Sequence, residues 1–267
     1  PSPETSPTVT STPALTPSPE PTASPSPGLT PASTPTASPA LQPHAVECYR
    51  ARSESGTPRF VPIEGVRLDD GFESILTRIV RETSLCNDVS IDRAAAPGDR
   101  VGVLACYHLE SVAGEQWARP GGVTIANRFG EQQVEFVSGS SERTLCVPAG
   151  AALASRADDA VDPLDRLRCR RVRSKRLAPA PEFVLGDAFE TKRMRVRSIR
   201  SLCTPVALGG DEAPASDDLL ACYNVAQVPG QRGFRPPGVI EVESELASQT
   251  LTLRNAQRTL CVPTERR

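Results

Sequence analysis

From Cys48 onward, large apolar residues return at fixed offsets, and the whole set of offsets recurs four times along the chain. Phe60, Trp117, Leu177 and Phe234 are each followed six residues later by Val66, Val123, Phe183 and Ile240, and six further on by Phe72, Phe129, Phe189 and Leu246. Each unit opens near a Cys-Tyr (Cys48-Tyr49, Cys106-Tyr107, Cys222-Tyr223), with Cys169-Arg170 as the departure. Each closes on Leu85-Cys86, Leu145-Cys146, Leu202-Cys203 or Leu260-Cys261. Three closings continue to a proline at one offset, Pro148, Pro205 and Pro263, where the first has Asp88. Within a unit the pattern alternates. Val123-Thr-Ile125, Val134-Glu-Phe136, Met194-Arg-Val196 and Leu251-Thr-Leu253 place apolar residues on one face and polar residues on the other, which predicts half-buried strands. Pro62, Pro120, Pro181 and the pair Pro236-Pro237 precede the second strands, where a missing N–H is tolerated.

The expected fold is therefore all-β. Longer Asp- and Ala-rich connections separate the later units, and the better boundary is the first of them. Two tandem domains are expected, 44–150 (units one and two) and 165–267 (units three and four), joined by a linker at 151–164. Each would be a β-sandwich or barrel of two pseudo-repeated units; the alternative is a four-bladed, propeller-like array. Residues 1–43 are almost entirely Pro, Ser, Thr and Ala and hold much of the chain's 27 prolines. Such a segment cannot bury enough apolar surface to offset its ordering entropy, so a disordered, extended stalk is expected, with O-glycosylation as the sharper reading.

A unit of roughly 58 residues has a marginal core and calls for a staple. The eight cysteines are Cys48, Cys86, Cys106, Cys146, Cys169, Cys203, Cys222 and Cys261. None forms a CxxC pair, and only His44 and His108 could add imidazole, so disulfides are expected and structural zinc is not. One opening and one closing cysteine persist in every unit. The expected pairing is thus Cys48–Cys86, Cys106–Cys146, Cys169–Cys203 and Cys222–Cys261, one among 105 possibilities. Disulfides imply an oxidising compartment, so export to the cell surface or exterior is expected. The first residue is Pro and the single Met is Met194, which fits a processed or truncated chain. No run of about 18 apolar residues is present, so no transmembrane segment is expected.

The same residues resemble an uncharacterised bacterial extracellular repeat family whose halves read CY…V…NQFG…LCNP and CY…V…NQFG…LCVP. Asn127-Arg128-Phe129-Gly130 and Leu145-Cys146-Val147-Pro148 look like its second half, and Leu260-Cys261-Val262-Pro263 repeats that ending. Asp69-Asp70-Gly71-Phe72, Gly186-Asp187-Ala188-Phe189 and Glu243-Ser244-Glu245-Leu246 replace the NQFG tetrad. A bacterial source also fits the choice of Arg over Lys, since Lys175 and Lys192 are the only lysines among 30 basic residues. The resemblance implies fold and export; the family has no established activity.

Net charge is −2, which favours neither nucleic acid nor an anionic membrane as partner. No HExxH, GxSxG, phosphate-binding glycine loop or clustered His is present, so an enzyme is not expected and no cofactor or metal is implied; a divergent hydrolase is the remote alternative. His108 and Trp117 read as structural, the latter as core packing rather than a sugar platform. The acidic loops Asp158, Asp159, Asp162 with Asp165, and Asp211, Glu212 with Asp217, Asp218, lack the spacing of an EF-hand and read as solvated turns. One local excess of charge stands out in the third unit. Arg171, Arg173 and Lys175, and again Arg193, Arg195 and Arg197, are spaced by two and project from one face of a strand, with Arg168 nearby. On neighbouring strands they would form a basic stripe suited to carboxylate, sulfate or phosphate. The expected function is a non-enzymatic, secreted or surface module with a structural or adhesive role. The alternative is a polyanion-binding module for an acidic polysaccharide or other cell-surface component.

Overall fold

A computed structural model describes residues 45–92, 103–118, 120–137, 143–152, 165–211, 214, 219–235 and 237–267, together with the backbone but not the side chains of 255–257. The stalk expected at 1–43 lies outside them. The described residues contain strands and no helix, and belong to one compact unit. Unit one supplies β1 (Val46–Ser53), β2 (Ile63–Asp69), β3 (Ser74–Asp88) and the short β4 (Ser90–Ile91). Unit two supplies β5 (Val103–Ser111), β6 (Val123–Asn127), β7 (Gly130–Phe136) and β8 (Arg143–Ala152). From unit three come β9 (Leu167–Ser174), β10 (Glu182–Gly186), β11 (Thr191–Pro205) and the short β12 (Ala207–Leu208). Unit four gives β13 (Leu219–Gln227), β14 (Val239–Ser244) and β15 (Ser248–Arg266).

Eight of these strands close on themselves. The antiparallel order β1-β3-β5-β8-β9-β11-β13-β15 returns to β1, so each unit gives its first strand and part of the strand that carries its closing cysteine to one ring. Closure leaves these strands no open edge. The fold is not a plain barrel, because each unit also extends an arm. Strand β2 folds onto the first half of β3, β6 onto β7, β10 onto the first half of β11, and β14 onto the first half of β15.

Period-2 alternation gives both faces of the ring a core. Along β5, Val103, Ala105, Tyr107 and Leu109 point outward into one hydrophobic cluster, while Leu104 and Cys106 point into the lumen. All eight cysteines occupy lumen positions. The four disulfides are those expected from the repeat, Cys48–Cys86, Cys106–Cys146, Cys169–Cys203 and Cys222–Cys261. Each joins residues directly opposite one another in the ladder. The loops they close span 34 to 40 residues, for which chain entropy gives on the order of 3 to 4 kcal/mol each.

The arms are exchanged between opposite units. The tail of unit one, β4, pairs the arm of unit three at β10, and the tail of unit three, β12, pairs the arm of unit one at β2. The end of β8 pairs β14, and the end of β15 pairs β6, which links units two and four in the same way. The expected division into 44–150 and 165–267 is thus crossed by hydrogen bonds at β8–β9, β1–β15 and all four exchanges, so both halves share one ring. Of the expected linker, 151–152 belong to β8 and 153–164 lie outside the described residues.

Candidate functional site

The residue after each opening cysteine points outward and reaches the arm of the opposite unit. Tyr49 donates its hydroxyl hydrogen to Asp187; the Tyr107 hydroxyl lies 3.0 Å from Ser244 Oγ; Asn127 Nδ2 donates to the Tyr223 hydroxyl at 2.9 Å. In unit three Arg170 stands where the others have Tyr, and it pairs with the Asp70 carboxylate. These four partners are equivalent turn residues. Asp70, Asn127, Asp187 and Ser244 each also accept a backbone N–H from the residue two positions on, Phe72, Phe129, Phe189 or Leu246. The Cys-Tyr opening and the NQFG-like tetrad are therefore two halves of one structural lock, and Tyr→Arg in unit three is matched by a carboxylate in unit one.

Two of the locks carry buried charge. Arg168 is fully buried (0%) and donates to Glu73 Oε1 at 2.6 Å and Asp70 Oδ2 at 3.3 Å, while Arg170 also reaches Glu73 at 3.2 Å. The Trp117 ring packs against the larger hydrophobic cluster, with the guanidiniums of Arg143 and Arg168 at 4.2 Å and 4.6 Å from its centre. Burial alone would raise the Asp70 carboxyl, but the hydrogen bond and charge of Arg170, with Arg168, outweigh it and hold it below the usual carboxylate range. Burial, then the neighbouring Arg168, pushes Arg143 down to about 10.

The equivalent lock of unit one gathers Glu47, Asp187 and Glu190 around Arg258 and Lys192. Arg258 Nε lies 2.8 Å from Glu47 Oε1. Three carboxylates face two cations, and burial pushes Glu47 up to about 8, against the pull of Arg258. The Tyr49 hydroxyl, which donates to Asp187, also donates toward Glu47 Oε2 at 3.0 Å.

The residues expected to form a basic stripe divide three ways. Arg168 is a correction: it shares strand parity with Arg170 and the buried Val172, faces away from the lumen into the buried contact with the unit-one arm, and is neutralised by Asp70 and Glu73. Arg171 lines the lumen. Arg173 and Lys175 are exposed, as are Arg193 (63%), Arg195 (47%) and Arg197. The two sets are not side by side as a simple neighbour pairing would place them. Strands β9 and β11 pair only over Leu167–Arg171 and Ser201–Pro205, and Arg195 lies opposite Glu182 on one side and Ala226 on the other. The sets meet at one end instead, where Leu177 N–H donates to the Arg197 carbonyl and Ile199 N–H to Ser174 Oγ. Glu182 pairs with both Arg193 and Arg195.

The lumen is the feature the sequence did not announce. It encloses a cavity of about 380 Å³ that opens to solvent. Val46, Leu104, Leu167 and Leu220, each two residues before an opening cysteine, line one end, and the disulfides the middle. Ser84, Thr144, Ser201 and Thr259, each two residues before a closing cysteine, line the other end with Arg50, Arg81, His108, Arg171 and Arg200. The signal was present in the offsets: Arg50, His108 and Arg171 each follow an opening cysteine by two, hence face the lumen with it. Burial and then Arg81 push His108 below its ordinary value.

Sulfur atoms of Cys86, Cys106 and Cys146, and of Cys169, Cys203 and Cys222, lie within 4.8 Å of one another, but every one is oxidised to a disulfide and offers no thiolate to a metal. Of the acidic loops, Asp211 pairs with Arg166, and Asp158, Asp159, Asp162, Glu212, Asp217 and Asp218 lie outside the described residues. Among the described residues no helix is long and apolar enough to cross a membrane. No family model, curated protein or solved structure matches the chain.

Proposed function

We propose that the protein is an extracellular, non-enzymatic module that adheres to acidic polysaccharide through the basic face of its third unit. The observation that carries this reading is the exposure of Arg193, Arg195 and Arg197 on one face of β11, continued by Lys175 and Arg173 beyond the junction at Arg197. Glu182 offsets only part of this charge, and potentials from groups this close add within a Debye length of about 8 Å at physiological salt. Many weak contacts along a linear polyanion then sum. The four disulfides support an oxidising location, as does the Pro/Ser/Thr-rich composition of residues 1–43, which suits a surface stalk.

The test is retention on an immobilised sulfated or uronic-acid polysaccharide across a salt gradient. Wild type is expected to be retained at low salt and released near physiological salt. The triple variant Arg193→Ser, Arg195→Ser, Arg197→Ser is expected to flow through while keeping its thermal midpoint, because exposed ion pairs contribute only about 0 to 1 kcal/mol. Wild type that ignores the matrix at about one tenth of physiological ionic strength, where screening reaches only across roughly 25 to 30 Å, refutes the reading.

A further inference from the structure

We propose that the polar end of the ring lumen is a second, separate site, and that it binds a ligand about the size of one sugar bearing a sulfate or phosphate group. Four observations converge on it. The cavity of about 380 Å³ lies within the range of small-molecule pockets, roughly 300 to 1,000 Å³, so it is larger than a bare oxyanion needs. Among the described residues its lining contains four arginines and one histidine and no carboxylate. Neither Arg50 nor Arg81 has an ion-pair partner among the described residues, and the hydroxyls of Ser84, Thr144, Ser201 and Thr259 have no hydrogen-bond partner there.

The fourth observation concerns what the fold gives up. Arg50 stands directly opposite Arg254 across β1 and β15, and Arg81 directly opposite His108 across β3 and β5. Like charges placed opposite one another in a sheet are destabilising. The chain matches its buried charges, as at Asp70 and Arg170 or Glu190 and Arg258, whereas Arg50, Arg81 and Arg254 are exposed. Arg50 is set against Arg254, a repulsion that an anion beside them would relieve, while Arg81 faces the His108 imidazole, which burial and Arg81 hold toward its neutral form.

The donor arrangement selects the anion. The four hydroxyls come from β3, β8, β11 and β15 at equivalent positions around the ring, so O–H groups approach from several directions, with guanidinium forks above them. A carboxylate presents two oxygens in one plane. A sulfate or phosphate ester presents three free oxygens pointing apart, and Arg recognises each group through paired N–H donors. Beneath the hydroxyls lie disulfide sulfurs and four aliphatic side chains, which offer an anion nothing and fix its depth at the hydroxyl layer.

Calorimetric titration of the full chain at low salt tests this, with glucose 6-sulfate, glucose 6-phosphate, glucose and inorganic sulfate as probes. The two anionic sugars are expected to bind, the tighter one naming the preferred group; glucose is expected not to bind, and inorganic sulfate to bind more weakly than either. Arg50→Ala and Arg81→Ala are each expected to weaken binding by about tenfold or more, the scale of a lost charge-assisted contact. Their thermal midpoints should hold, and that of Arg50→Ala hold or rise, since its opposition to Arg254 is removed. The surface triple variant at Arg193, Arg195 and Arg197 should bind the sugars normally, which separates failure here from failure of the polysaccharide reading. The proposal is overturned if neither anionic sugar binds, if inorganic sulfate binds as tightly as they do, or if both lumen variants retain full affinity.

Discussion

Combining Arg170→Tyr with Asp70→Asn should convert the unit-three lock into the kind found at Tyr223 and Asn127, and the energetics of the two steps should be strongly non-additive. The buried group comprises Asp70, Glu73, Arg168 and Arg170, two negative and two positive side chains that are all nearly inaccessible. Asp70→Asn alone leaves an excess positive charge there, and Arg170→Tyr alone an excess negative one. Breaking a buried pair from one side costs about 3 to 5 kcal/mol, because the remaining charge is uncompensated. The double variant is neutral again, with Glu73 still bonded to Arg168, and the amide introduced by Asp70→Asn keeps an oxygen to accept from the Phe72 and Glu73 N–H groups. Its net cost should fall to about 1 to 2 kcal/mol, the scale of one imperfectly replaced buried hydrogen bond. The coupling energy from a double-mutant cycle is then roughly 4 kcal/mol or more in favour of the pair, beyond the usual range of about 0.5 to 3 for contacting residues. Denaturant unfolding with disulfides intact, followed by intrinsic fluorescence of Trp117, reads all four corners. Additive single effects, with a double variant destabilised by their sum, would show that the lock is held by something other than charge balance.

Two further outcomes follow from the same packing. Glu47 binds its proton up to about pH 8 in the folded chain and only to about 4.5 unfolded, so the folded state holds more protons between these values and stability falls as pH rises through that window. Glu47→Gln should remove this fall and be the more stable form at pH 8; an unchanged pH slope in unfolding experiments counts against a protonated Glu47. Residues 44–152 expressed alone should give no cooperative unfolding transition and should expose apolar surface to a hydrophobic dye, because β6 and β8 lose β15 and β14 as partners; a sharp transition near that of the full chain would show that a half folds independently.

Much of the architecture was readable because it is local. The disulfide pairing follows from one opening and one closing cysteine per unit, and the structure places each pair directly opposite in a ladder. Strand alternation was equally clear at Val123–Ile125 and Met194–Val196, where buried and less buried residues do alternate. The exchange of arms was not readable, since β10 meets β4 and β14 meets β8 across long stretches of chain and nothing in a two-residue strand advertises its partner. Arg168 was placed on the wrong face by composition, although its parity with Arg170 and Val172 already separated it from Arg171 and Arg173. The lumen was not legible because Arg50, Arg81 and His108 are single cations far apart in the chain that only the ring brings together.

The arginines of this chain can be sorted by what the fold gains from each, and the sorting is what distinguishes a site from a composition. Arg168, Arg170 and Arg258 are buried beside carboxylates and rings, where a guanidinium satisfies several acceptors at once and the units lock together. Arg193 and Arg195 share a carboxylate on the surface, where the pair contributes little to stability and is free to exchange Glu182 for another acid. Arg50 and Arg81 belong to neither group. Each is set opposite another basic residue, beside unpartnered hydroxyls, at the open end of a cavity otherwise lined with sulfur and aliphatic carbon. Folding alone gives no return for that placement, since a neutral residue at either position would leave the ladder hydrogen bonds intact and, at Arg50, remove a repulsion from Arg254. A repeat that keeps its lumen cysteines, aliphatic floor and hydroxyl layer in all four units, yet varies the layer above them toward positive charge, concentrates its freedom to change at the mouth, which is where a ligand would enter.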